Sequence, residues 1–193
     1  LGLAALLARA DVSAIGPGLG SGEWGRALFE AVLACDSPRV LDADALNLLA
    51  QAPRRLAACD VITPHPGEAA RLLGITTADV QRDRFAAASA LCERYAAQVV
   101  LKGAGSIAAS PGGTPAVICA GNPGMAVGGM GDLLTGCIAA LLAQGFAPRD
   151  AAIAGTLLHA AAGDAAARDE GERGMLPSDL LPWLRRLVNP VRR

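Results

Sequence analysis

Short apolar runs alternate along the chain with longer segments whose apolar residues recur at helical spacing, and most of the runs end in Gly, Pro or Asp. Residues 1–10 read as the end of a helix, and DVSAIG (11–16) as a strand followed by the turn GPGLGSG. Residues 23–35 place Trp24, Leu28 and Val32 on one helical face. RVLDAD (39–44) reads as a second strand, followed by a short helix through Leu46, Leu48 and Leu49. DVIT (60–63) gives a third strand, the loop PHPGE, and a helix through Ala70, Leu72 and Leu73. A longer helix is expected over 79–97, then the strand VVLK (99–102) and the loop GAGS. SIAAS and PAVIC flank PGG and predict an antiparallel hairpin within 105–119. Beyond a glycine-dense stretch, Leu133, Leu134, Cys137, Ile138, Leu141 and Leu142 repeat helically, with Gly136 and Ala140 leaving room for close packing. A further helix spans about 150–167, and the tail carries Pro177, Pro182 and Pro190.

Strands alternating with helices predict an α/β fold, a mostly parallel sheet covered on both faces. Ligands in such folds lie at the carboxyl ends of the strands. GPGLG, DAD, TPHPGE and KGAGS all fall at those ends, so four strands deliver Asp, His and Lys to one edge.

The segment GNPGMAVGGMGDLLTG (121–136) carries the sharpest chemistry. It is a glycine-rich loop entering an apolar helix, whose first N–H groups lack partners within the helix and carry its positive dipole end. That reads as a phosphate cradle. Asp132 at the junction is out of place there unless it takes a proton or holds a metal.

Each polar cluster also has a plainer reading. Gly16-Pro17-Gly18-Leu19-Gly20 lacks the GxGxxG spacing of a dinucleotide turn, so a tight turn and a ligand loop both remain open. Asp44 is expected to cap the helix that Asn47 begins, while Asp42 is free to face the pocket and meet a metal shell or a hydroxyl; Asp42 and Asn47 are further site candidates. His65, between two prolines that extend the backbone, is expected to contact a ligand, and Glu68 to favour a helix dipole. Lys102, Gly103, Ala104, Gly105 and Ser106 suit a nucleotide phosphate or, equally, a solvated lysine beside a hairpin; the Walker spacing is absent. His159 is expected to be a satisfied core histidine, and Arg185, Arg186, Arg192 and Arg193 a solvated face.

Composition narrows the field. The chain has 193 residues, which fits one domain, and it is 52% hydrophobic and 18% charged, enough for a large core. A net charge of −1 and 3% aromatics argue against nucleic acid and anionic membranes as partners. Five scattered cysteines without a CxxC pair are expected reduced in a cytoplasmic core, and two histidines cannot build a histidine metal cage. No apolar run reaches the roughly 18 residues of a membrane span. No basic leader or clear cleavage site is evident at the start. The chain begins at Leu1 as if mid-helix, so a preceding part is expected in the natural protein.

IGPGLG, LDADALN, TPHPGEAARLLG, VLKGAGSIAAS and GNPGMAVGGMGDLLTGCIAALLAQG occur in that order, and together they resemble the ADP/ATP-dependent NAD(P)H-hydrate dehydratases of the ribokinase-like superfamily. TPHPGE combined with NPGMA and GGxGDxLTG is the specific part, and Met130 is a mild variation. The resemblance implies a ribokinase-like three-layer sandwich, with a family domain that is longer before IGPGLG and in some members follows an epimerase domain. It implies Mg2+ and ADP or ATP as co-substrate, NADH or NADPH hydrate as substrate, and a homo-oligomer. Phosphorylation of the ring hydroxyl followed by loss of phosphate would restore NAD(P)H. By the same resemblance, Gly20, His65 and Asp132 contact the hydrated dinucleotide, with Asp132 as the base. Lys102 to Ser106 and Gly131 hold the adenine nucleotide, and the N–H groups of Gly128, Gly129 and Gly131 receive the phosphoryl charge. A magnesium ion bridging the phosphates keeps several waters and needs few protein ligands. The rivals are a small-alcohol kinase of thiazole or pyrimidine type, which uses the same glycine-rich hole, and a nucleotide-binding module without chemistry.

Overall fold

A computed structural model describes residues 2–189; Leu1, Pro190, Arg192 and Arg193 lie outside the described residues. Six strands form one sheet in chain order: β1 (Ser13–Ile15), β2 (Arg39–Leu41), β3 (Val61–Ile62), β4 (Gln98–Leu101), β5 (Ser106–Ala109) and β6 (Ala116–Ile118). The first four run parallel. β5 and β6 are antiparallel and make the expected hairpin. The helices between them are α1 (Leu3–Leu7), α2 (Glu23–Leu33), α3 (Ala43–Gln51), α4 (Pro66–Leu73), α5 (Thr77–Arg82) and α6 (Arg84–Tyr95). Then come α7 (Met130–Ala143), α8 (Pro148–Glu170) and α9 (Leu181–Leu187).

The strands are short and apolar because both faces are covered. Alternate residues feed opposite cores, as the two-residue strand period requires. Leu41, Ile62, Val99 and Leu101 pack beneath α2 to α6. Val40, Val61 and Val100 pack beneath α7 and α8. The result is helix, sheet, helix: the three layers expected. Each fully buried Leu, Ile or Val stabilises by about 2 kcal/mol. A third cluster, Met130, Ala162, Ala166, Met175 and Leu180, ties the start of α7 to the end of the chain.

Several expected elements differ. The helix expected over 79–97 is broken at Asp83, whose backbone turns to φ −144° and ψ 86° while its carboxylate accepts from the Ala86 N–H at 2.9 Å. α2 buries Gly25, Phe29 and Val32, while Trp24 is 70% exposed. The cause is Gly25, where an added Cβ would lie 2.4 Å from the Gly20 carbonyl. Gly136 and Ala140 are on the exposed side of α7. The close approach comes instead from Gly155 of α8, against Ile138. The cysteines are all unpaired, but Cys119 is exposed and not in the core.

At the amino ends of the strands, Arg39 and Asp60 form a buried bidentate pair at 2.9 and 2.8 Å. Arg39 also donates to the carbonyls of Leu33 and Cys35, so these charges are consumed in holding the fold. The carboxyl ends are different.

Candidate active site

GPGLG crosses directly over the end of β2. At Gly16 (φ +133°) a Cβ would sit 1.7 Å from the Asp42 carbonyl oxygen, so the turn needs glycine there. The next residue after Asp42, Ala43, is held at φ 47°, a strained value for a residue with a Cβ. The Asp44 carboxylate accepts from the Gly20 N–H at 2.8 Å. The expected Asp44 cap is therefore overturned: α3 starts at Ala43, two residues earlier than a cap at Asp44 would start it, Asp42 occupies the cap position, and neither carboxylate caps it. Asn47 lies inside α3, donating to Asp44 (3.3 Å) and accepting from Arg71 Nε (2.9 Å), so it bridges α3 to α4. Gly20 is thus linked through Asp44, Asn47 and Arg71 to the helix that follows His65.

The strand ends converge on Lys102. Its Nζ lies 2.6 Å from Asp42 Oδ1 and 3.8 Å from Glu68 Oε2. Thr135 Oγ1 donates to Asp42 Oδ2 at 3.1 Å, which brings in α7. Asp42 and Glu68 are buried, while Lys102 keeps 19% of its side chain exposed. The plain reading of a solvated lysine is therefore excluded, and Lys102 is a shared partner of two carboxylates. Gly131 lets this cluster reach the first turn of α7: its Cβ would lie 3.2 Å from Lys102 Nζ and 3.3 Å from Asp42 Oδ2.

His65 caps α4. Its Nδ1 accepts from the Gly67 N–H at 3.0 Å, and Glu68 Oε2 accepts from the His65 N–H at 2.7 Å, a reciprocal capping box. This fixes the Nε2 proton in the neutral ring, 3.5 Å from Glu68 Oε1. The ring is half exposed at the mouth of the site. Glu68 is more than a first-turn acid, since it also faces Lys102.

The loop 102–106 is shaped by a residue that the sequence reading missed. Arg84, at the start of α6, donates to the carbonyls of Leu101 (3.1 Å), Lys102 (3.3 Å) and Ala104. Ser106 Oγ donates to the Gly103 carbonyl at 3.1 Å. Burial pulls the Arg84 guanidinium below its ordinary range, and its Nε is buried without a partner. Its position directly after the capping Asp83 was the available signal, but a partner 20 residues away is invisible to spacing rules.

The glycine loop begins with Gly121 and Asn122 held by Asp164, passes a 3-10 turn at Pro123–Met125, and enters α7 through Gly129 at φ +89°. Leu133 N–H closes on the Gly129 carbonyl at 3.0 Å. Ahead of it, the N–H groups of Gly131 and Asp132 lie in the turn where a helix has no carbonyl to offer. Asp132 is exposed at this turn, beside Gly131 and one turn before Thr135. Gly128 and Gly129 form the bend, with Pro177 packed on Gly129.

His159 of α8 is buried, as expected, but it is not satisfied: Nε2 has no partner. Burial pushes its pKa down to about 4, the Lys102 charge acts in the same direction, and a backbone contact at Met130 opposes it. A hollow of about 290 Å3 lined by Arg173, Ser178, Trp183 and Arg186 contains none of the strand-end groups, so convergent polar groups rather than concavity mark the site.

No group of three His, Cys, Asp or Glu able to hold a metal occurs among the described residues. Asp42 and Glu68 already share an ammonium. Among the described residues these groups do not form a protein cage for magnesium. Among the described residues no helix is long and apolar enough to cross a membrane.

A family model described as NAD(P)H-hydrate dehydratase matches residues 3–186. The chain belongs to that family. It is 52% identical over 185 residues to a bifunctional NAD(P)H-hydrate repair enzyme Nnr from Coxiella burnetii, covering 96% of this chain and 38% of the relative. It is 43% identical over 196 residues to the ADP-dependent (S)-NAD(P)H-hydrate dehydratase of Neisseria meningitidis, covering 96% of this chain and 66% of the relative. Among solved structures, the ADP/ATP-dependent NAD(P)H-hydrate dehydratase of Bacillus subtilis co-crystallised with ATP/Mg2+ superimposes with a TM-score of 0.82 at 32% identity. That match covers 94% of this chain and 67% of the other. This dehydratase-family chain thus spans little more than a third of the bifunctional relative and about two thirds of the other two.

Proposed function

We propose that the chain carries out nucleotide-dependent dehydration of hydrated NADH or NADPH, regenerating the reduced nicotinamide. The observation that carries this is the first turn of α7, where Asp132 is exposed beside free-ended helix N–H groups and Gly131 abuts Lys102. The names of the relatives supply the substrate class: one is ADP-dependent, and the Bacillus structure was grown with ATP/Mg2+.

Hydroxide leaves a carbon poorly and phosphate leaves well, so the route transfers a phosphoryl group to the ring hydroxyl and then expels phosphate. Asp132 accepts the hydroxyl proton as its oxygen attacks phosphorus. The N–H groups of Gly128, Gly129 and Gly131 face the phosphoryl oxygens, where charge builds. Loss of phosphate, with a proton from the neighbouring ring carbon, restores the double bond. The loop 102–106 binds the nucleotide through its N–H groups, and Lys102 adds charge behind it while remaining paired. Magnesium enters as part of the nucleotide substrate. His65 and Gly20 line the dinucleotide side.

The test adds nucleotide and magnesium to hydrated NADH and follows the reduced-nicotinamide absorbance together with free phosphate. Both rise in equal amounts on this reading, with ADP and ATP assayed separately. Asp132→Asn is expected to lower turnover by about 10²- to 10⁴-fold with nucleotide affinity kept. A phosphorylated product without regenerated NADH would make the protein a kinase, and near-normal turnover in the variant would remove Asp132 as the base.

A further inference from the structure

α8 touches the glycine loop at its start, at Met125 and again at Met130. Gly155, His159 and Gly163 are four residues apart and share one face of the helix. Gly155 meets Ile138, His159 meets the Met130 backbone, and Gly163 meets Met125, where a Cβ would come within 2.3 Å of the sulfur. The next residue, Asp164, makes the polar contacts. Its Oδ2 accepts from the Gly121 N–H at 2.9 Å and its Oδ1 from Asn122 Nδ2 at 3.0 Å. Asn122 Oδ1 accepts from the Gly124 N–H at 3.1 Å. A carboxylate only accepts, and it has two oxygens for the two donors that face it. Asn122 then bridges the two, donating to Asp164 on one side and accepting from Gly124 on the other.

We infer that Asp164 is a positioning residue for the reaction: it clasps the start of the glycine loop so that the turn 127–131 and Asp132 stand correctly to the phosphoryl group. This rests on the dehydratase reading above. Asp164 holds the start of the loop and acts through it, not on the reacting atoms. Its effect travels through Asn122 and the 3-10 turn to Met125, which packs against the cluster that holds Met130 at the start of α7. Displacing a reacting group by about an ångström costs on the order of 100-fold in rate. The loss should fall on turnover, because the nucleotide loop 102–106 is held separately by Arg84.

The decisive experiment exchanges the two side chains. Asp164→Asn sets an amide NH2 against a donor and breaks one of the three bonds. Combined with Asn122→Asp, all three return with the roles reversed: Gly121 N–H donates to the new amide oxygen, whose NH2 donates to the new carboxylate, which still accepts from the Gly124 N–H. We expect Asp164→Asn to lower kcat by about 10- to 100-fold, with the nucleotide Kd within about twofold of wild type. Hydrogen exchange at Gly121 and Gly124 is expected to quicken, and the double variant to recover both readouts. Wild-type kcat in Asp164→Asn overturns the proposal, whether or not exchange quickens, and so does a double variant that recovers exchange without kcat. A wild-type chain that never turns over hydrated dinucleotide overturns the dehydratase reading instead, and with it the catalytic consequence; exchange alone then reports whether the clasp exists.

Discussion

The loops 102–106 and 121–131 are both glycine-rich and both face the proposed phosphates, yet they are made into donors by opposite means. In the first, Arg84 and Ser106 occupy the carbonyls of Leu101, Lys102, Gly103 and Ala104. With those acceptors turned away, what the loop can offer an anion is its N–H groups. In the second, the donors come from the helix: the first turn of α7 has N–H groups left over because no earlier carbonyl exists. The carboxylate of Asp164 takes only the N–H groups at the far end of the loop, about three turns' worth of chain from Asp132. A cation is used where carbonyls must be removed. An anion is used where a loop must be pinned without competing for the site. Net charge does little in either case, because Lys102 is outnumbered by Asp42 and Glu68.

Acid should separate the two loops most strongly. His159 lies under the second loop, with its pKa depressed to about 4 from an ordinary 6.5. Above pH 6.5 it is neutral folded and unfolded, and the stability is whole. Between 6.5 and 4 the unfolded chain takes up a proton that the folded one refuses, so stability falls as pH falls; below 4 the loss levels off. The full loss is on the order of 3 kcal/mol. Denaturant midpoints at pH 7 and pH 5 should differ in the wild type and differ less in His159→Gln. Hydrogen exchange at pH 5 should quicken at 121–131 before 102–106. Equal sensitivity of both loops would mean that His159 does not support the second one separately.

Removing the cation tests the other half. Arg84→Ala frees three carbonyls, and one of them turning forward would repel a phosphate. We expect nucleotide affinity to weaken by about tenfold, or about 1.4 kcal/mol, in a calorimetric titration. Unchanged affinity would show that the glycines alone set the loop, and the contrast would collapse.

How the sequence spoke to these regions follows from distance along the chain. The strands and the polar clusters at their ends were legible because each apolar run is closed by Gly, Pro or Asp. Three misreadings were local and had signals. Asp83 before RFAAASALC is a cap signature that divides the helix expected over 79–97. Trp24, Leu28 and Val32 are spaced as well as the true face through Gly25, Phe29 and Val32, and only the contact of Gly25 with the Gly20 carbonyl decides between them. Asp44 looked like a cap because the positive φ of Ala43, which starts α3 early, leaves no trace in residue types. Arg84 and Asp164 were not legible at all, because their partners lie 17 to 20 and 42 to 43 residues away and chemistry reveals them only once the chain is folded. The unsatisfied Nε2 of His159 is likewise a property of packing, since a histidine in an apolar helix gives no hint of which nitrogen finds a partner.

The smallest expected effect is the most discriminating. Gly131→Ala places a methyl 3.2 Å from Lys102 Nζ and 3.3 Å from Asp42 Oδ2, closer than side chains normally sit. Alanine is worth up to about 1 kcal/mol over glycine within a helix, which favours the variant. Against that, something must move. Asp42 is buried and held by Thr135, whereas Lys102 has a flexible stem and is 19% exposed, so Lys102 gives way by a few tenths of an ångström. The two contributions nearly cancel, and the denaturant midpoint should correspond to a stability within about 0.5 kcal/mol of wild type. Nucleotide affinity should still fall by a small factor, because the methyl crowds the side of the turn from which Lys102 faces the proposed phosphates. A stability loss of several kcal/mol would mean that Lys102 cannot yield. The ion pair would then be as rigid as the buried Arg39–Asp60 pair, and the strand-end cluster would be a structural clamp rather than part of a site that adjusts to its ligand.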